Sequence, residues 1–140
     1  MPHMRHTARV THYAIAEAAT VLGVSDDTVR RWVEAGRVAS RREAGRLVID
    51  GPDLAELAGG LLERPDPDLT RTAQVSARNR LPGIVLRVVA DTVMAQVDMA
   101  CGPYRLVSLM STEAATELGL APGSRVVASV KSTNVTVETP

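Results

Sequence analysis

Aromatic residues are nearly absent from this sequence. Phenylalanine does not occur, and one tryptophan and two tyrosines bring the aromatic share to 2% of 140 residues. Hydrophobic residues still make up 45% and charged residues 23%, which is ordinary for a globular protein. Any core must therefore be built from aliphatic side chains.

Cysteine is equally scarce, and long apolar runs are missing. The single Cys101 cannot form an internal disulfide, and its place in an alternating apolar stretch predicts a core position. No stretch approaches the roughly 20 apolar residues of a membrane helix, and residues 1–9 lack the apolar segment of a signal peptide. We therefore expect a cytoplasmic protein that does not interact with membranes.

The chain has no excess charge of either sign, since 16 basic residues balance 16 acidic ones. This balance argues against a general nucleic-acid coat, although residues 28–46 concentrate arginines locally. His3, His6 and His12 have no accompanying cluster of Cys or carboxylates, so we expect no metal site. Phosphate loops, nucleophile elbows and paired His and carboxylate motifs are also missing, and we expect no enzymatic activity.

The texture of the chain changes near residues 63–68, which contain two prolines and no apolar residue. Apolar residues recur at helical spacing before this stretch and at every second position after it. The sequence predicts an α+β protein with a flexible tail at 1–11, a first domain at 12–62, a linker at 63–72 and a second domain at 73–140.

The first domain has the pattern of two short helices followed by a hairpin. Apolar residues from Ile15 to Leu22 recur at steps of three and four and stop at Gly23, which can close a helix. A second helix is predicted from the N-cap Ser25 to residue 35, because two aspartates follow the cap. A hairpin turned at Gly45 and a third helix after residue 50 complete the pattern.

Three segments resemble the excisionase/MerR-type winged helix-turn-helix: residues 13–25, Thr-Val-Arg-Arg-Trp at 28–32 and Gly-Arg-Val at 36–38. The resemblance implies that residues 25–35 form a recognition helix in the major groove of double-stranded DNA. Helix arginines would contact bases and wing arginines phosphates, whereas the alternative is a merely solvated charged face. The predicted DNA-binding residues are Ser25, Thr28, Arg30, Arg31, Arg41, Arg42 and Arg46.

Strands are predicted in the second domain at 73–78, 83–90, 93–101, 104–110, 124–130 and 134–137, with a helix at 111–118. Short strands of this number suggest a small OB-like β-barrel. Binding of single-stranded nucleic acid is disfavoured, because such binding needs stacking aromatic residues and Tyr104 is the only one after the linker.

Three segments resemble a molbindin, the Mop-type TOBE domain: Ser-Ala-Arg-Asn-Arg-Leu-Pro-Gly at 76–83, Leu-Gly-Leu-Ala-Pro-Gly at 118–123 and Val-Lys-Ser-Thr at 130–133. The resemblance implies a site for molybdate or tungstate that is usually completed across a subunit interface. A compact dianion needs positive charge and several converging donors. The predicted binding residues are Ser76, Arg78, Asn79, Lys131, Ser132 and Thr133.

Alternatives remain for individual residues of this site. Lys131 is the only lysine among 16 basic residues, so a lysine at this position is not explained by the general composition of the chain. The alternative is a solvent-exposed residue at the end of a strand. The alternative for Asn79 is a purely structural role in a turn, and the alternative for Thr133 is a purely structural role at the start of a strand.

The two resemblances together predict a molybdate- or tungstate-responsive DNA-binding transcriptional regulator. The alternative is a molybdate storage or buffering protein without regulatory DNA binding. A shared site would require a homo-oligomer, at least a dimer, with a hexamer as the larger alternative.

Overall fold

The computed structural model of the protein describes residues 11–64 and 79–140. Residues 1–10 and 65–78 include almost all of the predicted tail, most of the predicted linker and the predicted strand at 73–78. Those three predictions lie outside the described residues.

Within residues 11–64, three helices surround a small antiparallel sheet. The elements are β1 (His12–Ala14), α1 (Ile15–Leu22), α2 (Asp26–Glu34), β2 (Arg41–Glu43), β3 (Arg46–Asp50) and α3 (Gly51–Glu63). Strand β3 lies between β1 and β2. This is the predicted helix-turn-helix with its wing, and α3 extends to Glu63, one residue into the predicted linker.

Local residue chemistry sets the ends of these elements. Gly23 adopts a φ of 69° and closes α1, because a residue without a side chain takes the left-handed conformation at little cost. The Oγ atom of Ser25 accepts a hydrogen bond from the backbone N–H of Thr28 at 3.2 Å and caps α2. Ala44 and Gly45, with φ of 50° and 78°, turn the wing hairpin.

Residues 79–140 form an antiparallel sheet with one short helix. The elements are β4 (Arg80–Ala90), β5 (Met94–Cys101), β6 (Tyr104–Ser111), α4 (Thr112–Glu117) and β7 (Arg125–Ser129), followed by a 3₁₀ turn at Ser132–Asn134. The strands are ordered β6-β5-β4-β7. Helix α4 lies within the predicted range 111–118, and the hydroxyl of Ser111 caps it by accepting a hydrogen bond from the N–H of Ala114.

Two features of the predicted barrel are wrong. Strands β6 and β7 lie at opposite edges and do not pair in the described part of the chain, so the sheet is open, whereas a barrel requires its edges to join. The predicted strand at 134–137 is also missing there, because the 3₁₀ turn redirects the chain and no neighbouring strand pairs with these exposed residues.

The two halves pack against each other through a continuous hydrophobic core. Ile84 of β4 and Ala100 of β5, which are 0% and 1% exposed, belong to the same cluster as the buried residues of α1, α2 and α3. A second cluster around Val85 and Val97 fills the other side of the sheet. Both faces of the sheet are therefore covered over part of their area.

Hydrogen bonds and a close approach of two backbone segments join the halves as well. The hydroxyl of Tyr13 donates to the carbonyl oxygen of Gly123 at 3.0 Å, and the N–H of Gly102 donates to the carbonyl of Val21 at 3.2 Å. The backbones of Gly51 and Gly123 approach so closely that a Cβ atom on Gly51 would lie 2.7 Å from the Gly123 oxygen. Any side chain at Gly51 or Gly123 would clash with the backbone of the other residue.

Candidate functional site

Helix α2 presents two arginines to solvent because its opposite face is buried. Val29 and Trp32 are 0% and 5% exposed and pack against α1. Arg30 and Arg31 lie on the exposed side of the same helix. The guanidinium of Arg37 lies over the ring of Trp32, 5.2 Å from its centroid, and adds a further cation after the helix. The helix thus displays the donors that a recognition helix needs.

Thr28 lies on the buried side of this helix. Its side chain is 7% exposed, and its Oγ1 atom accepts a hydrogen bond from Nη2 of Arg31 at 3.3 Å. The hydroxyl of Ser25 lies 2.9 Å from the same Oγ1 atom. Both hydroxyls, which the sequence predicted as DNA contacts, are engaged in capping α2 and orienting Arg31.

The three wing arginines differ in their surroundings. Arg41 forms ion pairs with Asp50 at 3.0 Å and with Glu43 at 2.9 Å. The hydrogen bond to Asp50, and after it the one to Glu43, raises the pKa of Arg41. Arg42 donates to the carbonyl of Gly45 at 3.4 Å. Arg46 has no carboxylate within ion-pair distance in residues 11–64 and 79–140.

An open concavity lies between α2 and the wing. Arg30 of α2 and Arg46 of β3 line it, together with the acidic residues Asp26 and Glu34 of α2 and apolar residues that include Ile15 and Leu47. A cation from each of two elements therefore faces one depression beside the first turn of α1. The lining thus carries two basic and two acidic side chains, and its two guanidinium groups are the donors available to an anion.

A second group of predicted residues meets at the ends of β4 and β7. Asn79 adopts a φ of 54°, and its carbonyl oxygen accepts from the N–H of Val130 at 3.0 Å. Its Nδ2 atom lies 3.5 Å from the Oγ of Ser132. The pairing of two strands thus brings together two predicted ligands that are 53 positions apart in the chain.

Lys131 and Thr133 flank Ser132 and are exposed. Thr133 lies within the 3₁₀ turn and does not begin a strand. Ser76 and Arg78, the other two predicted ligands, lie outside the described residues. Their position relative to Asn79 and Ser132 stays a prediction.

Arg80 was missed by the sequence analysis. It is exposed and pairs with Ser129 across β4 and β7, one residue beyond Asn79. Side chains of directly opposed residues share one face of a sheet, so Arg80 adds a cation at this end of the strands. Its position directly after the Ser-Ala-Arg-Asn segment was the signal available in the sequence.

Two buried polar side chains lie away from these groups. Asp98 is 2% exposed, and a hydrogen bond from Gln96, followed by bonding and ion pairing with Arg87, holds its pKa below the ordinary value. Cys101 is 4% exposed, and burial raises its pKa to about 11. Cys101 is a core residue, as predicted.

No group of at least three His, Cys, Asp or Glu side chains able to hold a metal ion occurs in the described ranges. Nor does any described helix have the length and apolar character required to cross a membrane.

Two family models match the chain. A helix-turn-helix domain matches residues 13–59, and a TOBE domain matches residues 75–137. The two matches correspond to the two halves that the structure joins through one core. They confirm both resemblances identified in the sequence.

Individual relatives match mainly over part of their own length. The molybdenum import ATP-binding protein ModC of Paramagnetospirillum magneticum is 43% identical over 63 residues, which are 44% of this chain and 17% of that protein. The molybdenum-pterin-binding protein MopA of Rhodobacter capsulatus is 36% identical over 106 residues, 66% of this chain and 40% of its own. The chain thus spans less than half of these two relatives.

A smaller relative is covered almost completely. The molybdenum-pterin-binding protein 2 of Clostridium pasteurianum is 36% identical over 64 residues, which are 45% of this chain and 94% of that protein. Among solved structures, a molybdate-binding protein from Sporomusa ovata is 35% identical, with 47% of this chain and 98% of that chain covered at a TM-score of 0.43.

Proposed function

This chain belongs to the family of the molybdenum-pterin-binding proteins, and on that premise we propose that it is a molybdate- or tungstate-responsive transcriptional regulator that binds double-stranded DNA. The observation that carries the proposal is the direct packing of a helix-turn-helix onto the sheet that brings Asn79 beside Ser132. A DNA reader and an oxyanion site joined by one core can influence each other. A DNA-binding role would place the protein in the cytoplasm.

The proposed oxyanion site uses the charge and donors at the ends of β4 and β7. Lys131 supplies an ammonium group, while the amide of Asn79 and the hydroxyl of Ser132 supply neutral donors at 3.5 Å from each other. Ser76, Arg78 and Thr133 complete the proposed set. A fixed set of donors favours molybdate or tungstate over the smaller sulfate, because only the larger ion reaches all of them at once.

The proposed DNA site is the concavity between α2 and the wing. Arg30 and Arg31 would enter the major groove, whereas Arg46 would neutralise a phosphate. Arg41 is already paired with two carboxylates and would contribute less than Arg46. Ser25 and Thr28 would act by holding the helix and Arg31, and Arg42 by a contact at the wing tip.

Assembly is a further part of this proposal. Each chain carries one set of oxyanion-site residues and one helix-turn-helix that would bind a DNA half-site. A homodimer would complete both sites, and a hexamer would extend the same contacts. Light scattering on the full chain with and without molybdate tests this proposal. A strictly monomeric chain that still binds molybdate tightly would contradict a shared site.

The alternative function is molybdate storage or buffering, and near-complete coverage of the small Clostridium relative by the C-terminal half favours it. No catalytic step belongs to either proposal. Both predict oxyanion binding, but only the regulator predicts that the oxyanion changes the affinity for DNA.

One experiment separates these functions. Affinity for duplex DNA is measured with molybdate, tungstate or sulfate at constant ionic strength, for the wild type, Lys131→Ala and Arg30→Ala. We expect molybdate and tungstate to shift the affinity, Lys131→Ala to abolish this shift, and Arg30→Ala to weaken binding with or without the oxyanion. Wild-type DNA binding that ignores molybdate, despite calorimetric molybdate binding, would favour storage.

A further inference from the structure

An arginine from the C-terminal half lies on the first turn of α1. The Nη1 atom of Arg125, the first residue of β7, lies 2.6 Å from Oε2 of Glu17. The other carboxylate oxygen of Glu17 accepts a hydrogen bond from the N–H of Ala14 at 3.1 Å. Ala14 also lines the concavity between Arg30 and Arg46. Two consecutive contacts thus connect Arg125 to the border of the proposed DNA site.

We propose that Arg125 is a DNA-binding residue supplied by the sheet, and that its guanidinium contacts a backbone phosphate beside α1. This proposal rests on the proposed DNA-binding function. The Arg125 side chain is 54% exposed, and Glu17 is its ion-pair partner within residues 11–64 and 79–140. A guanidinium carries five N–H donors, so several remain for a phosphate.

The position of Arg125 is held by the packing of its neighbours. Gly123, two residues earlier, accepts the hydrogen bond of the buried Tyr13 and lies against the backbone of Gly51. Burial raises the pKa of Tyr13 to about 12, while Arg125 lowers it and Glu17 raises it, as expected for an ion pair beside this hydroxyl. The guanidinium therefore approaches DNA from a rigid strand end.

Arg125 has a second effect through Glu17. The Glu17 carboxylate sits at the first turn of α1, where an approaching phosphate would be repelled by its negative charge. Pairing with Arg125 compensates that charge. Loss of the arginine removes a phosphate ligand and leaves the carboxylate uncompensated, so both changes weaken DNA binding.

The test is the salt dependence of binding to a mixed-sequence duplex of about 24 base pairs, because phosphate contacts do not require a specific sequence. We expect Arg125→Ala to make the slope of log K against log salt shallower by about 0.9. Between 1 M and 0.1 M salt, the affinity of this variant should therefore rise about eightfold less than that of the wild type. Arg125→Lys should retain most of the slope.

Arg105→Ala is the matched control, since it removes the same charge from an exposed arginine that lies beside Asp98 and α3. It should keep the wild-type slope. A wild-type slope for Arg125→Ala, or an equal loss in Arg105→Ala, would overturn the proposal.

Should Arg125→Ala fail to fold by circular dichroism, Glu17→Gln provides the test. It removes the competing carboxylate and frees Arg125, so duplex binding should strengthen, and unchanged or weaker binding would overturn the proposal. Binding that depends on Arg30 but not on Arg125 refutes only this inference. If the wild type has no affinity for duplex DNA, the proposed function itself fails.

Discussion

Replacing Tyr13 by phenylalanine tests how strongly one hydrogen bond joins the two halves. Tyr13 is 0% exposed, and its hydroxyl donates to the Gly123 carbonyl at 3.0 Å. Phenylalanine keeps the buried ring and removes only the donor. The carbonyl would then remain buried without this partner, and that is the source of the expected destabilisation.

The size of the effect follows from the acceptor that is left behind. Removing one partner of a buried hydrogen bond costs about 1–3 kcal/mol of unfolding free energy. In a chain of this size, 1 kcal/mol corresponds to roughly 3–4 °C, so Tyr13→Phe should lower the Tm by about 3–12 °C. The urea midpoint should fall at an unchanged m value, because the same surface is exposed on unfolding.

Tyr104→Phe is the matched control, since the Tyr104 side chain is 67% exposed and forms no hydrogen bond in the described part of the chain. Its midpoint should equal that of the wild type within error. If Tyr13→Phe and Tyr104→Phe have the same stability, the hydrogen bond to Gly123 does not join the halves.

The same substitution predicts a change in pH dependence. Burial raises the pKa of Tyr13 from 10.0 to about 12, so the neutral form is favoured in the folded state. Its contribution to stability is complete below the unfolded pKa and is lost as the pH rises toward the folded value. We expect stability to fall less steeply over this range in Tyr13→Phe than in Tyr104→Phe.

Three further predictions concern the buried residues Gly51, Cys101 and Asp98. Gly51→Ala should destabilise the protein by about 1–3 kcal/mol, since its Cβ atom would lie 2.7 Å from a backbone oxygen of the other half. Gly60→Ala is the control: its Cβ atom would have nothing within 4 Å, so it should stabilise the protein by up to about 1 kcal/mol. Urea midpoints test both substitutions. Cys101, whose pKa burial raises to about 11, should react with a thiol reagent only after denaturant is added, and immediate labelling of the native protein would contradict its burial. The bonds from Gln96 and Arg87 lower the pKa of Asp98, so its contribution to stability is complete above the ordinary carboxyl pKa and is lost on acidification. Asp98→Asn should flatten the dependence of the urea midpoint on pH in the acid range.

Several parts of the fold could be predicted from the sequence because their causes are local. Gly23 and Ser25 define the turn between two helices through their own backbone and side-chain preferences. The alternation of apolar residues before Cys101 likewise identifies β5. In each case the signal and the structure lie within a few residues of each other.

The closed barrel and the strand at 134–137 were predicted wrongly because strand pairing is a long-range property. A period of two indicates that a segment is extended, but it does not name the neighbour to which that segment bonds. In the described residues, β6 and β7 stay apart. Among residues 11–64 and 79–140, no strand pairs with the segment after Asn134.

Asp98 illustrates a related limit. Asp98 lies between Val97 and Met99 in β5, and successive side chains of a strand point to opposite faces, so alternation alone gives no reason for its burial. The structure buries Asp98 as well, in contact with Gln96, Arg87 and Arg105. Burial there depends on side chains of the neighbouring strands β4 and β6, which the alternating pattern within β5 does not specify.

The sequence by itself determined the helix-turn-helix, the strands β4 to β7 and the residue types suited to DNA and oxyanions, because each depends on short-range spacing and local chemistry. Only the tertiary structure decided which of these meet. The bond from Tyr13 to Gly123 spans 110 positions and the pair of Glu17 with Arg125 spans 108. Such contacts arise when two apolar surfaces are buried against each other, and no periodicity in either segment specifies the partner.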